Sequence, residues 1–332
     1  MSRASFSREE EGLMRSRDER AIVVTALKHA APYIRLYKGK AFVLKAGGAI
    51  FGDTSATRAL VEQVAVLHQL GIRIILVHGG GPQSTELEGA LGITTRIVDG
   101  RRVTDEKSLE VSTMVLNGLI NTRILAACRD VQLPAIGISG VDAGFIRAHR
   151  RPPVTVQGSR EMIDYGFVGD IDGVDVSMLQ KQIDAGLVPV VSPLSADRDG
   201  TLLNINADTV ASAIAVALGA EKLVLVSNAP GILADPGRDD SLVSYLDLAG
   251  LSELERKGKL AEGMLPKASC ITSALEGGVR RVHLISYRIP DSLLLEVFTN
   301  EGTGTLVVKD TAALSLEELS SVGGAVSSPR SR

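Results

Sequence analysis

Short apolar runs recur along the chain with helical stretches between them, and this alternation constrains the fold more than any other feature of the sequence. The runs are KAFVLK (40–45), RIILVH (73–78), LPAIGIS (133–139), VPVVSPL (188–194), EKLVLVS (221–227) and RRVHLIS (280–286). They are solidly apolar rather than alternating, which suits strands covered on both faces. Between them, apolar residues repeat at helical spacing. In residues 54–71, Leu60, Val64 and Leu67 fall on one face, Thr54 or Ser55 is the expected N-cap, and Gly71 is the stop. Residues 106–131 and 207–220 read the same way. Strands that alternate with helices predict an α/β chain, a three-layer αβα sandwich around an open, mainly parallel sheet. Residues 144–168 break the pattern and predict a short hairpin with a Pro-rich turn, set off the main sheet.

The strand ends carry the chemistry. The first run ends in Lys45, followed at once by Gly47 and Gly48, and the second runs into HGGGPQS (78–84) with Gly79, Gly80 and Gly81. In open α/β sheets, ligands bind beyond the carboxyl ends of the strands. Glycines there let backbone N–H groups approach an anion, and a following helix N-terminus adds partial positive charge. Two such ends, one with a lysine, point to phosphate. Neither G-x-x-x-x-G-K-[ST] nor a strand-linked G-x-G-x-x-G is present, so the design is a different one. Further along, Asn206 suits a helix N-cap and Asp208 its first turn, while Asn204 has no such structural duty. Lys267 falls at the start of a helix in KGKLAEGMLPKAS (257–269), and Arg102 in VDGRRVTDE (98–106) is either a surface charge or a carboxylate clamp.

Composition removes several classes. With 36 basic and 39 acidic side chains interspersed, the net charge of −3 offers no electrostatic case for nucleic acid or a membrane surface. No apolar run approaches 18 residues, so no membrane span is expected. The N-terminus lacks an apolar leader, and its acidic residues argue against a transit peptide, so a cytoplasmic chain is expected. The two cysteines, Cys128 and Cys270, read as reduced thiols, and no Cys/His cluster has zinc spacing, so no metal ligands are assigned. Residues 1–19 are polar and expected to be mobile. Residues 20–39 carry a helical pattern through Ile22, Leu27, Ile34 and Leu36, ahead of the first strand. Residues 311–332, rich in Ser and Gly, are expected to be mostly disordered.

HGGGP after a strand, then G-x-RVTD, NINADT (204–209) and GM-x-PK (263–267), in this order, resemble the amino-acid kinase family, and within it the acetylglutamate kinases. The resemblance covers residues 20–309. It implies a central sheet of about eight strands, an acyl-amino-acid-binding lobe over 40–200 and an ATP-binding lobe over 201–310. It implies phosphorylation of the side-chain carboxylate of N-acetyl-L-glutamate with ATP and Mg²⁺, giving N-acetylglutamyl 5-phosphate in arginine biosynthesis. Lys45 and Lys267 would then contact the phosphates, with Asp208 holding both. Gly47, Gly48 and Gly79 would line the phosphate site. Gly80, Gly81, Arg102 and Asn204 would bind the acyl-amino acid. Ser227, Asn228, Gly231, Gly263 and Met264 would frame the nucleotide. Such chemistry needs no general base, because the acceptor carboxylate is already ionised at neutral pH. Two departures fall in the ATP half: Asn228 stands where the family often has an acid, and Glu262 where glycine is commoner.

The resemblance extends to the arginine-inhibited type. The N-terminal helix would interlace dimers into a hexamer, a trimer of dimers. Tyr33, Lys222, His283, Glu296, Glu301 and Gly304 would lie in or near a site for L-arginine as effector. Two alternatives stay open on sequence: a kinase for N-acetyl-α-aminoadipate, whose features Arg102 and Asn204 would equally recognise, and a non-catalytic arginine-sensing homologue. Retention of Lys45, Asp208 and Lys267 weighs against the second.

Overall fold

In the computed structural model, residues 17–98, 101–155, 162–235, 237–260, 262–299 and 302–310 are described. The chain opens on helix α1 (Arg17–Tyr37), which has Pro32 inside it. The helix begins three residues before its expected start, so residues 17–19 are helical rather than part of a mobile terminus; residues 1–16 and the tail 311–332 lie outside the described residues. Strand β1 (Ala41–Ala46), helix α2 (Thr54–Gln69) and β2 (Arg73–His78) follow. Helix α3 (Gly81–Ala90) leads to a small hairpin of β3 (Arg96–Val98) and β4 (Arg101–Val103). The long helix α4 (Glu106–Asp130) contains a π-helical segment, Met114–Asn121.

After β5 (Ala135–Ser139) come β6 (Ile146–Arg150), β7 (Val154–Thr155), β8 (Met162–Ile163) and β9 (Gly169–Val174). Then come helix α5 (Ser177–Asp184), β10 (Val188–Ser192), β11 (Leu194–Ala196), β12 (Leu202–Asn204), helix α6 (Ala207–Leu218) and β13 (Lys222–Ser227). The chain continues through β14 (Tyr245–Asp247), α7 (Leu248–Arg256), α8 (Leu265–Glu276), β15 (Arg281–Ser286), α9 (Ser292–Phe298) and β16 (Thr305–Val308).

The main sheet has eight strands in the order β14-β16-β15-β13-β1-β2-β10-β5. All its neighbours pair parallel except β15 and β16. The expected architecture and strand number are therefore present. Each strand's alternation feeds two separate cores. Phe42, Leu44 and Ala46 pack on one face with α2, α4 and α9; Val43, Ile75 and Val77 pack on the other with α5, α6 and α8. Strand β1 lies at the centre, with β2 on one side and β13 on the other. Residues far apart in sequence thereby meet at its end.

Three local expectations are corrected. Helix α2 is capped by Asp53, whose Oδ1 accepts from Ser55 N (2.8 Å) and Ala56 N (3.2 Å); Thr54 is already the first helical residue, so neither it nor Ser55 serves. Run 188–194 is two strands, because the chain leaves the main sheet after Ser192 and β11 joins a small second sheet of order β12-β11-β6-β9. The hairpin expected over 144–168 is present as β6, but its main partner β9 starts at Gly169, beyond the expected boundary, and β7 with β8 forms a second, two-residue pairing. Helix α4 is long and apolar enough, by length and composition, to cross a membrane, with a mean hydropathy of 1.3. Here it is a core helix, with Val111, Val115, Ile120 and Ile124 packed against the sheet.

Candidate active site

Strand alternation sends Lys45 to the same side as Val43, where the N-terminus of α6 approaches β1. Asn206 caps that helix as expected, accepting from Asp208 N (2.8 Å) and Thr209 N (3.3 Å). The cap fixes Asp208 in the first turn, under Lys45. Lys45 Nζ lies 2.8 Å from Asp208 Oδ1, and Lys267 Nζ, from the first turn of α8, lies 3.6 Å from Oδ2. The Lys45 contact is a close ion pair. Asp208 is 4% exposed and Lys45 7%, so the attraction acts in a poorly screened interior. Burial alone would raise the Asp208 carboxyl; the charges of Lys45 and Lys267 more than offset it and hold the carboxyl below its ordinary value. One acid thus aims two lysines from distant parts of the chain.

Cys270 adds a contact that sequence reasoning missed: its Sγ–H donates to the Asp208 carbonyl at 3.0 Å, tying α8 to α6. Burial, reinforced by the Asp208 charge, pushes this thiol up to about 12, so it is a packing group and not a nucleophile.

The glycine loops lie side by side because β1 and β2 pair in register, Ala46 beside His78. Gly79 N donates to Ala46 O (2.9 Å) and Gly47 N to Val226 O (3.2 Å), so both loops hang from strand ends. Their contact requires the absence of a side chain at Gly48, while Gly80 lies against side chains of α4. A Cβ on Gly48 would lie 2.9 Å from Gly80 Cα, and one on Gly80 would lie 2.6 Å from Ile120 Cδ1. Gly81 is the first residue of α3, with Pro82 behind it.

These groups open on a cleft of about 250 Å³ lined by Lys45, Gly48, Gly79, Gly80, Gly81, Arg102, Asn204 and Asp208. Arg102 is no surface charge. It pairs with the fully buried Glu88 and donates through Nη2 to Thr85 Oγ1 (2.6 Å) and Gly81 O (3.2 Å). Asn204 Nδ2 donates weakly to Thr104 Oγ1 at 3.4 Å. Two more residues of the site were not read from sequence, one behind the wall and one in it. Glu88 holds Arg102, and Arg151 enters from the end of β6, held by Asp170 through Nε at 3.1 Å. Nothing in local pattern marks either one; only the fold brings them to the cleft.

The residues expected around a nucleotide lie at the next strand ends. Ser227 closes β13 and its Oγ accepts from Ala229 N (3.2 Å). Asn228 is exposed, with its carbonyl accepting from Ser286 Oγ (3.3 Å). Gly231 packs on Thr305, where a Cβ would stand 2.5 Å from Oγ1. Gly263 and Met264 form the turn leading into α8. Just beyond Met264, Lys267 reaches the Lys45–Asp208 pair.

A second buried cluster sits on the opposite face of the sheet. Lys222 Nζ is 3.1 Å from His283 Nε2, and His283 Nδ1 is 2.7 Å from Glu296 Oε1. Glu296 Oε2 accepts from Thr303 N (2.8 Å), and Lys222 stands over the Tyr37 ring at 4.9 Å. Burial and the adjacent Lys222 charge lower His283 to about 4 despite the Glu296 bond, so the ring is neutral, donating from Nδ1 and accepting at Nε2. Burial would raise Glu296, but His283, Thr303 N–H and Lys222 hold it below the usual carboxylate value. Tyr33 packs at the edge of this core, and a Cβ on Gly304 would lie 1.9 Å from Leu284 O. Glu301 lies outside the described residues.

A parallel sheet whose strand ends bring glycine backbone to a lysine–aspartate–lysine group is suited to phosphoryl transfer. The family model "Amino acid kinase family" matches residues 40–286. The chain is 47% identical to the acetylglutamate kinase of Myxococcus xanthus over 292 residues, 87% of this chain and 95% of that one. It is 45% identical to the acetylglutamate kinase of Symbiobacterium thermophilum, covering 88% of this chain and all of that one. Among solved structures, N-acetylglutamate synthase from Neisseria gonorrhoeae, complexed with coenzyme A and N-acetyl-glutamate, superposes with a TM-score of 0.76 at 31% identity over 87% of this chain. This chain spans 64% of that synthase's length; another structure of the synthase contains coenzyme A and L-arginine. The chain belongs to the amino-acid kinase family, and within it to the acetylglutamate kinases.

Proposed function

We propose that this enzyme transfers a phosphoryl group from MgATP to the side-chain carboxylate of N-acetyl-L-glutamate, as a step of arginine biosynthesis in the cytoplasm. The observation that carries the reading is the single buried Asp208 bridging Lys45 and Lys267 beside the Gly48–Gly80 contact. The difficulty of the reaction is charge, since a carboxylate must meet a polyanionic nucleotide. The residues present fit that nucleotide: two lysines converge on one acid, and two glycine loops meet where a Cβ on Gly48 would lie 2.9 Å from Gly80 Cα. MgATP, when bound, supplies the phosphoryl group and a divalent charge on it. Among the described residues no group of three or more His, Cys, Asp or Glu side chains is placed to hold a metal ion.

The chain's own groups do the rest. Lys45 and Lys267 stabilise the charge on the moving phosphoryl oxygens. Asp208 keeps both lysines aimed while leaving the group a net positive charge. Gly48 and Gly80 offer backbone N–H groups, with Gly47 and Gly79 shaping the loops. Arg102, its fork anchored by Glu88 and Thr85, binds the α-carboxylate, and Asn204 the amide end. Ser227, Asn228, Gly231, Gly263 and Met264 frame the nucleotide. The lobe assignment follows, with the acceptor on 40–200 and the nucleotide on 201–310. A hydroxamate assay tests this: acyl phosphate from N-acetyl-L-glutamate, and none from N-acetyl-α-aminoadipate, is the expected result. Product from aminoadipate alone would reassign the acceptor.

The second cluster favours an effector site. Glu296 with Lys222 and His283, near Tyr33 and Gly304, is a buried polar set with an acid able to take a guanidinium or α-amino group. L-arginine as feedback inhibitor is the proposed ligand. Helix α1, beside this site, exposes Ile22 (66%) and Leu27 (63%), an apolar face suited to a second copy of the chain, and a hexamer built as a trimer of dimers is the proposed assembly. Light scattering on the double variant Ile22→Asp, Leu27→Asp tests it, with a fall in mass expected.

A further inference from the structure

Beneath the glycine loop lies a buried polar pair that the charges in the cleft do not use. His78 closes β2 and, by strand alternation, turns toward α4 rather than toward Lys45; it is wholly buried. Asn121, the last residue of the π-helical segment, reaches it, with Nδ2 3.0 Å from Val190 O and 3.2 Å from His78 Nε2. A backbone carbonyl only accepts, so the amide nitrogen is correctly placed as the donor to Val190. Its other N–H is then offered to Nε2, which must be the unprotonated ring nitrogen. The ring proton therefore sits on Nδ1, 3.3 Å from the carbonyl of Gly79.

The surroundings are shaped around this pair. A Cβ at Gly137 on β5 would stand 1.9 Å from Asn121 Oδ1, so that strand gives up a side chain to admit the amide. Leu116 and Ile120 of the same segment press on Gly80, where a Cβ would meet Ile120 Cδ1 at 2.6 Å and Leu116 Cδ2 at 2.7 Å. In an α-helix, residues five apart point about 140° away from each other. The wider π turn brings Leu116 and Asn121 toward one side, and such turns cluster at functional sites.

The Gly79 carbonyl and the Gly80 N–H belong to one peptide plane and point in opposite directions. A bond that holds the carbonyl over His78 aims the N–H the other way, toward Gly48, where Gly80 N would lie 3.0 Å from a Cβ. We infer that His78 and Asn121 are positioning residues: Asn121 fixes the ring tautomer, the ring fixes the Gly79–Gly80 peptide, and that plane presents the Gly80 N–H to the phosphoryl group. The inference rests on the proposed role of Gly80 in phosphoryl transfer. Burial lowers His78 to about 4, so the neutral ring supplies direction and not charge.

Two substitutions separate direction from bulk. Asn at 78 keeps an N–H near the place of Nδ1, whereas Gln carries its amide out near Nε2. His78→Gln is expected to lower kcat about 10- to 100-fold, less than the roughly 100- to 1000-fold of deleting a donor because the Gly80 N–H is misaimed and not removed, with the acceptor KM within about threefold. His78→Asn is expected to recover most of that loss. Equal kcat in the two folded variants would overturn the inference. The ¹⁵N spectrum of histidine-labelled wild type at pH 7 should show an Nδ1–H tautomer at His78, and Asn121→Leu should release it to a mixture. A working wild type with an Nε2–H ring would sink this inference alone. Absence of acyl phosphate from wild type would sink the kinase reading, and this inference with it.

Discussion

Two buried lysines sit in the same sheet and face opposite ways. Lys45 is the fifth residue of β1, at its carboxyl end, and turns to the α6 face; Lys222 is the first residue of β13, opposite Phe42, and turns to the α9 face. Each lysine has an acid within its cluster. Lys45 reaches Asp208 directly and shares it with Lys267 across an open cleft. Lys222 lies next to His283, which bonds Glu296, in the buried layer behind the sheet. The carboxyl ends of parallel strands gather glycine loops and helix N-termini, so a lysine there meets ligand phosphate. The amino ends gather neither. A cation there needs an internal partner, and a site built on it can respond to an effector without meeting the substrate.

The comparison breaks first at Asp208. Asp208→Ala removes the common counter-ion and leaves Lys45 buried beside nothing of opposite charge, at a cost of about 3–5 kcal/mol in stability, as for any buried pair losing one member. The kcat of acyl-phosphate formation should fall about 100-fold or more. Hydroxamate assay and urea unfolding check the two effects, and near-normal turnover would remove Asp208 from the mechanism. Lys45→Ala and Lys267→Ala should each lose well over about tenfold in kcat. They should differ in stability, because the Lys267 side chain is 20% exposed against 9% for Lys45. Equal unfolding midpoints would mean that burial at the end of β1 is not what sets Lys45 apart.

How much of this was legible in the sequence follows from the same geometry. Lys45, the glycine loops and the Asn206–Asp208 turn are local patterns, a strand followed by its end and a cap followed by its helix. They were readable because strand alternation and capping are local rules. That β13 lies beside β1 was not read at all, and that Lys267 meets Asp208 came only from resemblance, since pairing between distant segments leaves no local mark. Glu88, Arg151 and Cys270 were missed for that reason. The edge strand β14 and its neighbour β16 were missed because, at three and four residues, they are too short to show a period. Asp53 was passed over as a cap because Thr54 and Ser55, equally good by type, stand next to it.

The amino-end cluster makes the comparison sharper. If Glu296 is the acid that takes the effector, Glu296→Gln should raise the arginine concentration for half-inhibition about tenfold or more, the scale of one charge-assisted hydrogen bond. Inhibition curves at fixed MgATP measure it. An unmoved curve would put the effector elsewhere, and would leave the expected loss of kcat in Asp208→Ala untouched.

The smallest expected effect separates the clusters by pH. The cleft holds Asp208, whose carboxyl is already below its ordinary value, so this acid stays ionised between pH 5 and 8. The other face of the sheet holds two buried histidines, His78 and His283, each lowered from 6.5 to about 4. The unfolded chain binds protons on them first as pH falls. Their contribution to stability is therefore complete above about 6.5 and is lost progressively toward 4, about 2 kcal/mol per histidine by pH 5. Against a total of about 5–15 kcal/mol, that is a measurable loss. Asp208 has the same sign in a lower window, stabilising above its ordinary pKa of 3.8 and failing only as pH falls below that. Urea midpoints should thus decline from pH 6.5 to 4.5, and His283→Gln should remove about half of the slope. An unchanged slope in that variant would mean that His283 is not held neutral by its core.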